Sequence, residues 1–519
     1  MGIVRLLDCT LRDGGHVVQG KFGSNVISAT ITALVDAKID IIEAGFLWET
    51  TTDEDTARFY NIAELKKILP ENMGNSKLSL MADNVDLSHL EPYDGTVEYI
   101  RLSFRKNEFE WAEKTIKQLK EKGYKCYINP IHGSAISDEE YIDIIQRVNR
   151  MKPYAFSIVD TFGAMRQSDL GRIYYLVENN LDKEIALGIH LHENLGLAFS
   201  LAQYILSIVS PLRNITIDGA LYGMGKIPGN LCVEQMMDYL NTRYGTSYST
   251  EPVYDAIDDF IMPIYENQRW GYSVPYALSA QCGVHRTYSE YLIAKNRLHT
   301  KDIRRLLKTI GKENAEIFNK SFIEDQYQKY MLADYDDRQS VEKLESVIEK
   351  YNHFLIIAPG YSIYDFNFPD VIIHDSCIIT VNFKFNKVHE DYLFFSNTKR
   401  LNYANVKDMK RMLITSNLID DIPDAGFVFS RNELAYHDDI FCDDSTLMLL
   451  NCLKRCKRRN IFLAGFDGFD PNHRNFYDSK LERNPNQDDY DQVLRKKILR
   501  NSYSDMNINF ITPSYYQNY

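Results

Sequence analysis

At roughly 150 residues per domain, the 519 residues of the chain predict about two to four domains. The composition, with 45% hydrophobic and 25% charged residues, is that of a folded protein and excludes the disordered, collagen-like and low-complexity classes. The formal net charge of −13 repels phosphate backbones, so we do not expect nucleic acid as a partner.

The sequence also indicates where the protein works. It has no apolar run of the about 18 residues that a membrane span needs, and residues 1–10 enter a strand-like pattern instead of a signal region. The 8 cysteines are irregularly spaced and form no Cys-x-x-Cys pair, so they predict no disulfide framework. We therefore expect a cytoplasmic protein without a membrane span.

Apolar, β-branched runs recur through the first half of the chain and alternate with segments of helical periodicity, such as 25–38 and 108–122. Such alternation, with strands too apolar to have a wet face, is typical of a closed parallel (β/α)8 TIM barrel. An open doubly wound sheet is the alternative. The barrel is predicted over residues 1–250, and its strands are 3–7, 39–46, 78–81, 99–104, 126–131, 156–159, 185–191 and 215–217.

The second half predicts two further parts. Residues 251–335 are helical in pattern and rich in Tyr and Ile, and they end in an acidic break that we interpret as a linker. Short apolar runs separated by helical segments then predict a Rossmann-like α/β domain over residues 350–519, with a mostly parallel sheet. Its predicted strands begin at 354 and continue at 371–373, 378–381, 392–395, 412–415, 427–429 and 461–464.

Polar residues collect where two of the barrel strands end. Arg12, Asp13 and His16 follow strand 1, and His190 and His192 end strand 7. Two histidines at i and i+2 of a strand point to the same side and can hold one ion. One carboxylate and two imidazoles form a three-ligand site for a divalent metal that leaves positions open for substrate. Mn²⁺, Mg²⁺, Co²⁺ and Zn²⁺ all fit, and we favour Mn²⁺ or Mg²⁺.

The eighth run leads into a glycine-rich loop, residues 219–230, which ends in Gly-Lys-Ile-Pro-Gly-Asn. Its glycines let the backbone approach a ligand closely, and Asn230 offers an oxygen as a fourth metal ligand. A lone His-x-His or Arg-Asp-Gly is common without a metal. The metal hypothesis therefore depends on three such segments following strands 1, 7 and 8 of one barrel, the end where barrels carry their chemistry.

Five segments in order resemble the metal-dependent pyruvate aldolase and lyase superfamily. This superfamily includes 4-hydroxy-2-oxovalerate aldolase, hydroxymethylglutaryl-CoA lyase, homocitrate synthase and isopropylmalate synthase. The resemblance covers about residues 1–250 and implies that Asp13, His190 and His192 hold the metal, with Asn230 as the fourth ligand of some members. The matching segments are 7–16 (Leu-Asp-Cys-Thr-Leu-Arg-Asp-Gly-Gly-His), 42–46, 159–163, 190–196 and 223–230.

The same resemblance implies roles for residues around the metal. Arg12 matches the arginine that steadies the enolate oxygen, and His16 matches the aldolase histidine that moves the proton of the acceptor hydroxyl. Glu43 corresponds to an acidic residue near that arginine, and Asp160 and Thr161 correspond to a pair lining the substrate pocket.

Elementary chemistry agrees with these residue types. A 2-keto acid bound to a divalent metal loses a methyl proton more readily, and the developing oxygen anion is stabilised by a permanently charged arginine. Bond formation with an aldehyde also needs a group that exchanges protons near neutral pH, which suits histidine. We therefore predict a class II aldolase, a lyase acting on a small 2-keto acid and an aldehyde. The resemblance also implies a homo-oligomer.

Two alternatives stay open. One is an acetyl-CoA-dependent Claisen synthase of the isopropylmalate or homocitrate type. This interpretation is less favoured, because such synthases carry Glu-Arg where this loop has Lys226-Ile227. The loop also lacks the cysteine of the hydroxymethylglutaryl-CoA lyases, the nearest being Cys232. The other alternative is a glycosyltransferase that uses the barrel as a scaffold.

The second domain carries a fainter resemblance, to sialyltransferase-like glycosyltransferases of bacterial surface-polysaccharide clusters. Its segments are 356–362 (Ile-Ile-Ala-Pro-Gly-Tyr-Ser), 380–382, 429–432 and 461–468. The resemblance implies that Gly360, Ser362 and Asn382 contact a nucleotide, and it suggests a sugar-derived aldehyde as the acceptor. A degenerate domain that serves dimerisation or substrate delivery is the alternative.

Overall fold

The computed structural model describes residues 2–517 apart from 52, 132–136, 296–297, 399, 402–405, 407, 438–441, 471–472 and 479–487. The chain divides into two compact units, each with its own sheet and hydrophobic core. One unit comprises Met1–Glu290 and Ile310–Phe318, and the other comprises Tyr291–Thr309 and Asn319–Tyr519. The predicted domain boundaries at residues 250, 335 and 350 stay predictions.

The first unit contains a closed parallel barrel, which confirms the predicted TIM fold. Eight strands pair in the order β1-β9-β8-β7-β6-β5-β4-β2, and a pairing between β1 and β2 closes the ring, while β3 extends from β2. The strands are β1 (Val4–Asp8), β2 (Ile41–Leu47), β3 (Arg58–Phe59), β4 (Lys77–Asp83), β5 (Val97–Phe104), β6 (Lys125–Pro130), β7 (Ala155–Asp160), β8 (Ala186–Leu191) and β9 (Ile215–Gly219).

Burial on both faces explains why these strands read as continuous apolar runs. Every residue of β7 and of β8 is buried, because one face packs inside the barrel and the other packs under the surrounding helices. The helices in turn bury one stripe each. In Phe109–Glu121, the buried positions recur at helical spacing and are Phe109, Ala112, Thr115, Ile116 and Leu119.

The helices occupy the segments between and after the strands. Through the first 294 residues they are Thr10–Asp13, Gly15–Val18, Ser24–Asp36, Ile62–Lys66, Phe109–Glu121, Asp138–Met151, Gln167–Asn180, Ala198–Ile208, Val233–Tyr244, Glu251–Ala256, Met262–Asn267, Val274–Cys282 and Thr287–Ala294. Later in the chain they are Thr300–Leu307, Lys312–Ala315, Lys320–Met331, Arg338–Ile348, Asp370–Asp375, Arg431–Leu434, Ser445–Arg455 and Asp488–Ser502. Among the described residues, none of these helices is long and apolar enough to cross a membrane.

The second unit holds an open sheet of seven strands that are all parallel, in the order β14-β13-β12-β11-β10-β15-β16. This confirms the predicted α/β class. The strands are β10 (His353–Ile357), β11 (Ser376–Val381), β12 (Tyr392–Phe395), β13 (Met412–Thr415), β14 (Phe427–Phe429), β15 (Asn460–Ala464) and β16 (Asn507–Phe510).

One strand assignment in this sheet was wrong, and one strand was missed. The run 371–373 lies in helix Asp370–Asp375, which follows Pro369 and has an acidic first turn. Three apolar residues are too few to distinguish a period of two from one of 3.6. The sequence analysis also missed β16, which lies at the edge of the sheet. Asn507 and Asn509 of this strand are exposed, and their polarity is typical of a loop.

Candidate active site

The metal-ligand candidates meet at the carboxyl end of the barrel. The short helix Thr10–Asp13 follows β1 and is buried throughout, while His190 lies near the end of β8 and His192 just beyond it. One ligand atom from each of Asp13, His190 and His192 lies within 4.8 Å of the others. The structure therefore brings Asp13 together with two histidines that are far from it in sequence.

Both histidines are oriented so that one ring nitrogen faces Asp13. In each, Nε2 lies 3.7 Å from Oδ2 of Asp13. The Nδ1 atoms are engaged elsewhere, that of His190 with Oδ2 of Asp218 at 3.0 Å and that of His192 with the carbonyl oxygen of Asp160 at 2.8 Å. A histidine that donates from Nδ1 keeps a lone pair on Nε2, which is the arrangement of metal-binding histidines. The donor set therefore fits a divalent metal.

Asn230 completes this cluster. It pairs with His192 in an isolated antiparallel bridge, and its Nδ2 donates to Oδ2 of Asp13 at 2.6 Å. Its Oδ1 is buried and has no hydrogen-bond partner among the described residues. A buried amide oxygen without a partner is costly, and an ion beside Asp13 would satisfy it. Asn230 therefore fits the predicted fourth ligand.

The position of Gly225 in the loop after β9 leaves no room for a side chain. A Cβ atom at Gly225 would overlap the side-chain amide of Asn230 and would lie 3.1 Å from Oδ2 of Asp13. Only a residue without a side chain lets the loop pass this close to the cluster.

A buried chain of ions connects Arg12 with His190. Nε of Arg12 donates to Oε2 of Glu43 at 2.6 Å, and Nη1 of Arg101 donates to the same oxygen at 3.2 Å. Nη2 of Arg101 donates to Oδ2 of Asp218, the oxygen that also meets His190. Glu43 thus contacts Arg12 and fixes the direction of its guanidinium. The catalytic role predicted for Glu43 stays a prediction.

Arg101 and Asp218 are functional candidates that the sequence analysis missed. Their side chains are about 1% exposed. Arg101 lies in β5 and Asp218 in β9, two barrel strands that are buried almost throughout. A buried charge in such a strand is costly unless it is paired. That was the signal from which they could have been found.

The charges around Asp13 keep it ionised. Burial alone would raise the pKa of Asp13, but the Arg12 guanidinium, with Nη1 3.0 Å from Oδ1, and the two histidines hold the pKa well below its usual range. Burial lowers the pKa of His190, so its ring is neutral at pH 7. An ionised carboxylate and neutral imidazoles are the forms that bind metal.

His16 stands at the edge of the cluster. Its Nε2 lies 3.7 Å from Oδ1 of Asp13, its side chain is 43% exposed, and its ring packs edge-on against Phe46. Desolvation, with help from Arg12 and Lys226, lowers the pKa of His16 to about 4 despite the opposing charge of Asp13. The ring is therefore neutral at pH 7 and open to the cavity.

Of the predicted pair Asp160 and Thr161, the first contacts backbone groups and His192, and the second lines the cavity. The carboxylate of Asp160 accepts hydrogen bonds from the backbone N–H groups of Ala164 and Met165, and its carbonyl oxygen orients His192. Burial raises the pKa of Asp160 to about 6. Thr161 lines the cavity itself.

A cavity of about 970 Å³ opens over this site. Arg12, Asp13 and both histidines line it together with His16 and with Lys226 and Arg286, two cations that the sequence analysis did not assign. The volume is of the size that holds small organic ligands.

In the second unit, the predicted nucleotide residues follow two adjacent parallel strands. Gly360 and Ser362 come after β10, and Asn382 comes after β11, so they lie at the same edge of the sheet. The backbone N–H and hydroxyl of Ser362 donate to Asp467, and the amide of Asn382 donates to Ser445 at 2.6 Å. These polar groups have partners within the unit, and nucleotide binding stays a prediction.

Comparison with known proteins shows which family the barrel resembles. A family model described as HMGL-like matches residues 3–256. A 4-hydroxy-2-oxovalerate aldolase from Geobacillus genomosp. 3 is 23% identical over 51% of this chain and 78% of its own length, and one from Pseudoalteromonas translucida is 25% identical over 51% and 77%. A 2-isopropylmalate synthase 1 from Caldanaerobacter subterraneus subsp. tengcongensis is 22% identical over 47% and 64%.

Among solved structures, the N-terminal domain of a putative aldolase from Bacteroides vulgatus is 23% identical, with a TM-score of 0.48 and coverage of 56% of this chain and 96% of that one. The barrel belongs to the HMGL-like family, which confirms the predicted pyruvate aldolase and lyase superfamily. The barrel is accordingly that of an enzyme of this superfamily.

Proposed function

We propose that the barrel catalyses a class II aldol reaction between a pyruvate-type 2-keto acid and an aldehyde. The observation that carries the proposal is the position of Asp13, His190 and His192 directly beside the guanidinium of Arg12, in a cavity that His16 also lines. Metal ligands, a fixed cation and a neutral histidine are the groups that such a reaction needs.

The metal is proposed to be held by Asp13, His190 and His192, with Asn230 as the fourth ligand. When bound, it supplies positive charge that makes the methyl group beside the keto carbon more acidic. We favour Mn²⁺ or Mg²⁺, because the set includes carboxylate and amide oxygens, and two imidazoles also suit Co²⁺ and Zn²⁺.

Arg12 is proposed to stabilise the keto oxygen as negative charge develops on it. Its guanidinium is permanently charged, and its contacts with Glu43 and Asp13 fix its direction before substrate arrives. A preorganised cation costs no reorientation during the reaction, which is why such groups lower barriers effectively.

His16 is proposed to handle the proton of the hydroxyl group. In cleavage of a 4-hydroxy-2-oxo acid, neutral His16 accepts the hydroxyl proton, the bond between carbons 3 and 4 breaks, and the hydroxyl-bearing carbon becomes the aldehyde. The electron pair passes to the keto acid, whose oxygen faces Arg12, and a proton then adds to carbon 3. Condensation follows the same steps in reverse.

Deuterium exchange into the methyl group of pyruvate tests this proposal without knowledge of the aldehyde. Proton NMR should show exchange with Mn²⁺, and the exchange should stop with a chelator and in Arg12→Ala. Arg172→Ala is a matched control, since Arg172 pairs with Asp138 on the outer helices. Absence of exchange with each of the four metals would refute the proposal.

An acetyl-CoA-dependent Claisen condensation is the second candidate, because the relatives include isopropylmalate synthases. It requires that the protein bind coenzyme A, whereas the aldolase does not. Calorimetric titration with coenzyme A separates the two, and tight binding would favour the synthase.

The wider setting is also a proposal. We propose that the aldehyde is sugar-derived, that the enzyme is a cytoplasmic homo-oligomer, and that it serves bacterial surface-polysaccharide synthesis. In this proposal the edge carrying Gly360, Ser362 and Asn382 binds a nucleotide. Titration with nucleotide sugars, compared between the protein and its Asn382→Ala variant, tests this part, and equal binding by both would refute the assignment.

A further inference from the structure

The cavity over the site contains positive charges that the proposed reaction does not use. Lys226, Arg286 and Arg105 line it together with His285. They come from separate segments, since Arg105 follows β5, Lys226 follows β9 and the other two lie beyond the barrel strands. All belong to the first unit. Convergence of distant cations on one cavity is costly unless something balances their charge.

Of these unused cations, Lys226 is the nearest in sequence to a metal-ligand candidate, Asn230. It follows Gly225, the residue that packs against Asp13 without room for a side chain. Its ammonium group has no hydrogen-bond or ion-pair partner among the described residues. Desolvation and, next in size, the charge of Arg286 lower its pKa. An ammonium group that has no ionic partner and lies near a second positive charge is suited to binding an anion.

Arg286 faces the same cavity with part of its guanidinium unused. Nη1 pairs with Glu290 one helical turn later, which fixes the side chain. Its Nε is buried and has no hydrogen-bond partner among the described residues. A planar guanidinium with a free edge is suited to carboxylate or phosphate, both of which accept two parallel hydrogen bonds.

Two other arginines of the cavity are already neutralised. Arg12 is paired with Asp13 and Glu43, and Arg101 is paired with Glu43 and Asp218. By contrast, Arg105 makes only a long contact of 3.6 Å with Glu108, and its side chain is 56% exposed. The uncompensated positive charge therefore lies at the Lys226 side of the cavity.

Carboxylates of the cavity offset this charge only in part, because Asp13 and Asp83 raise the pKa of Lys226 but desolvation and Arg286 outweigh them. Glu140 is paired with Lys106, while Asp83 and Glu316 also line the cavity. The charges that act most strongly on His285 are nevertheless all positive, and with desolvation they lower the pKa of His285 to about 4. Lys226, Arg286 and Arg105 therefore make the electrostatic potential at His285 positive.

We propose that Lys226 and Arg286, with Arg105 beside them, bind an anionic group on the aldehyde substrate. The group is a carboxylate or a phosphate, carried beyond the carbonyl carbon that reacts near His16. This inference rests on the proposed aldolase function and narrows its acceptor to acidic or phosphorylated aldehydes.

The anion belongs to the aldehyde and not to the 2-keto acid for a geometrical reason. In the proposed reaction the keto acid lies at Arg12 and the metal ligands, whereas the aldehyde oxygen lies at His16. Lys226 and Arg286 are among the charges that act on His16. An aldehyde whose oxygen meets His16 can therefore extend its far end toward these cations.

Matched pairs of aldehydes test the inference in the Mn²⁺-loaded enzyme with pyruvate. One pair is glyceraldehyde 3-phosphate and glyceraldehyde, and the other is succinic semialdehyde and butyraldehyde. We expect kcat/KM for the charged member of one pair to exceed that of its neutral partner by about 10-fold to 100-fold, the effect of one charged hydrogen bond or more. Preference in the first pair identifies phosphate, and preference in the second identifies carboxylate.

Variants connect the preference to the residues. Lys226→Met and Arg286→Met should reduce the ratio of charged to neutral kcat/KM toward one, and Lys226→Arg should keep most of it. Lys183→Met is the control, because Lys183 is an exposed cation that pairs with Glu178 and lies before β8, at the opposite end of that strand. Calorimetric binding of unreactive glycerol 3-phosphate or succinate should weaken in parallel with the loss of preference.

Three results would overturn the inference in different ways. Equal kcat/KM within both pairs, while pyruvate still exchanges deuterium, would refute the anion site and leave the aldolase proposal intact. Absence of exchange would refute the aldolase proposal and this inference with it. A preference that persists in both methionine variants would also refute the assignment to Lys226 and Arg286.

Discussion

Asp218 offers a sharp test of how the protein prepares its metal site. Its Oδ2 receives hydrogen bonds from Nη2 of Arg101 and from Nδ1 of His190, at 3.0 Å in the latter case. Burial opposes ionisation of this carboxyl, but the charge of Arg101 lowers its pKa. The Asp218→Asn variant keeps the size of the side chain and removes the charge. It should therefore disturb the orientation of His190 without creating a cavity.

Two magnitudes follow from these contacts. Loss of one partner of a buried ion pair destabilises a protein by about 3–5 kcal/mol, and Arg101 would retain only Glu43 as an ionic partner. Loss of a hydrogen-bond partner behind a metal-binding histidine weakens metal affinity by about 10-fold to 100-fold. The second effect corresponds to about 1.4–2.7 kcal/mol of binding free energy.

Mn²⁺ titration followed by electron paramagnetic resonance measures the affinity, and thermal unfolding without metal measures stability. We expect the Kd for Mn²⁺ to rise 10-fold to 100-fold in Asp218→Asn and to stay unchanged in Asp238→Asn, since Asp238 is exposed on helix Val233–Tyr244. A folded Asp218→Asn variant with wild-type affinity would refute the argument that Asp218 orients His190.

Three further substitutions probe the site and its support. Glu43→Gln should slow pyruvate exchange by more than about 10-fold, since Arg12 loses its charged partner at 2.6 Å; exchange at the wild-type rate would contradict this. Gly225→Ala should weaken Mn²⁺ binding, because the new methyl group overlaps the amide of Asn230, and unchanged titration would contradict it. Burial raises the pKa of Asp8 from 3.8 to about 7, so the folded state favours the protonated carboxyl. The contribution of Asp8 to the free energy of unfolding therefore falls as the pH rises between these two pKa values. Asp8→Asn should remove about 4 kcal/mol of this pH dependence between roughly pH 4 and 7, and parallel unfolding curves for both proteins across that window would refute it.

Much of the barrel could be predicted because its signals are local. Each strand is buried on both faces and therefore reads as an apolar run, and predicted strand 99–104 lies within β5. The helix predicted over 108–122 is observed at Phe109–Glu121, since its buried stripe repeats at helical spacing. The ligand candidates could be named because Asp13, His190 and His192 stand where barrel strands end.

Short segments limited prediction in the second unit. The residues 371–373 and β16 contain too few positions to establish a period, so packing against neighbouring elements decided between helix, strand and loop.

The sequence by itself determined the barrel, the superfamily and the residue types that can hold a metal, because these depend on periodicity and on motifs of a few adjacent residues. Only the tertiary structure decided how those residues are supported. Arg101 and Asp218 are 117 positions apart, yet they form one ion pair behind His190. Likewise, Lys226 and Arg286 line one cavity only after the chain has folded. Contacts between distant positions depend on how strands close into a ring, and no local pattern records that.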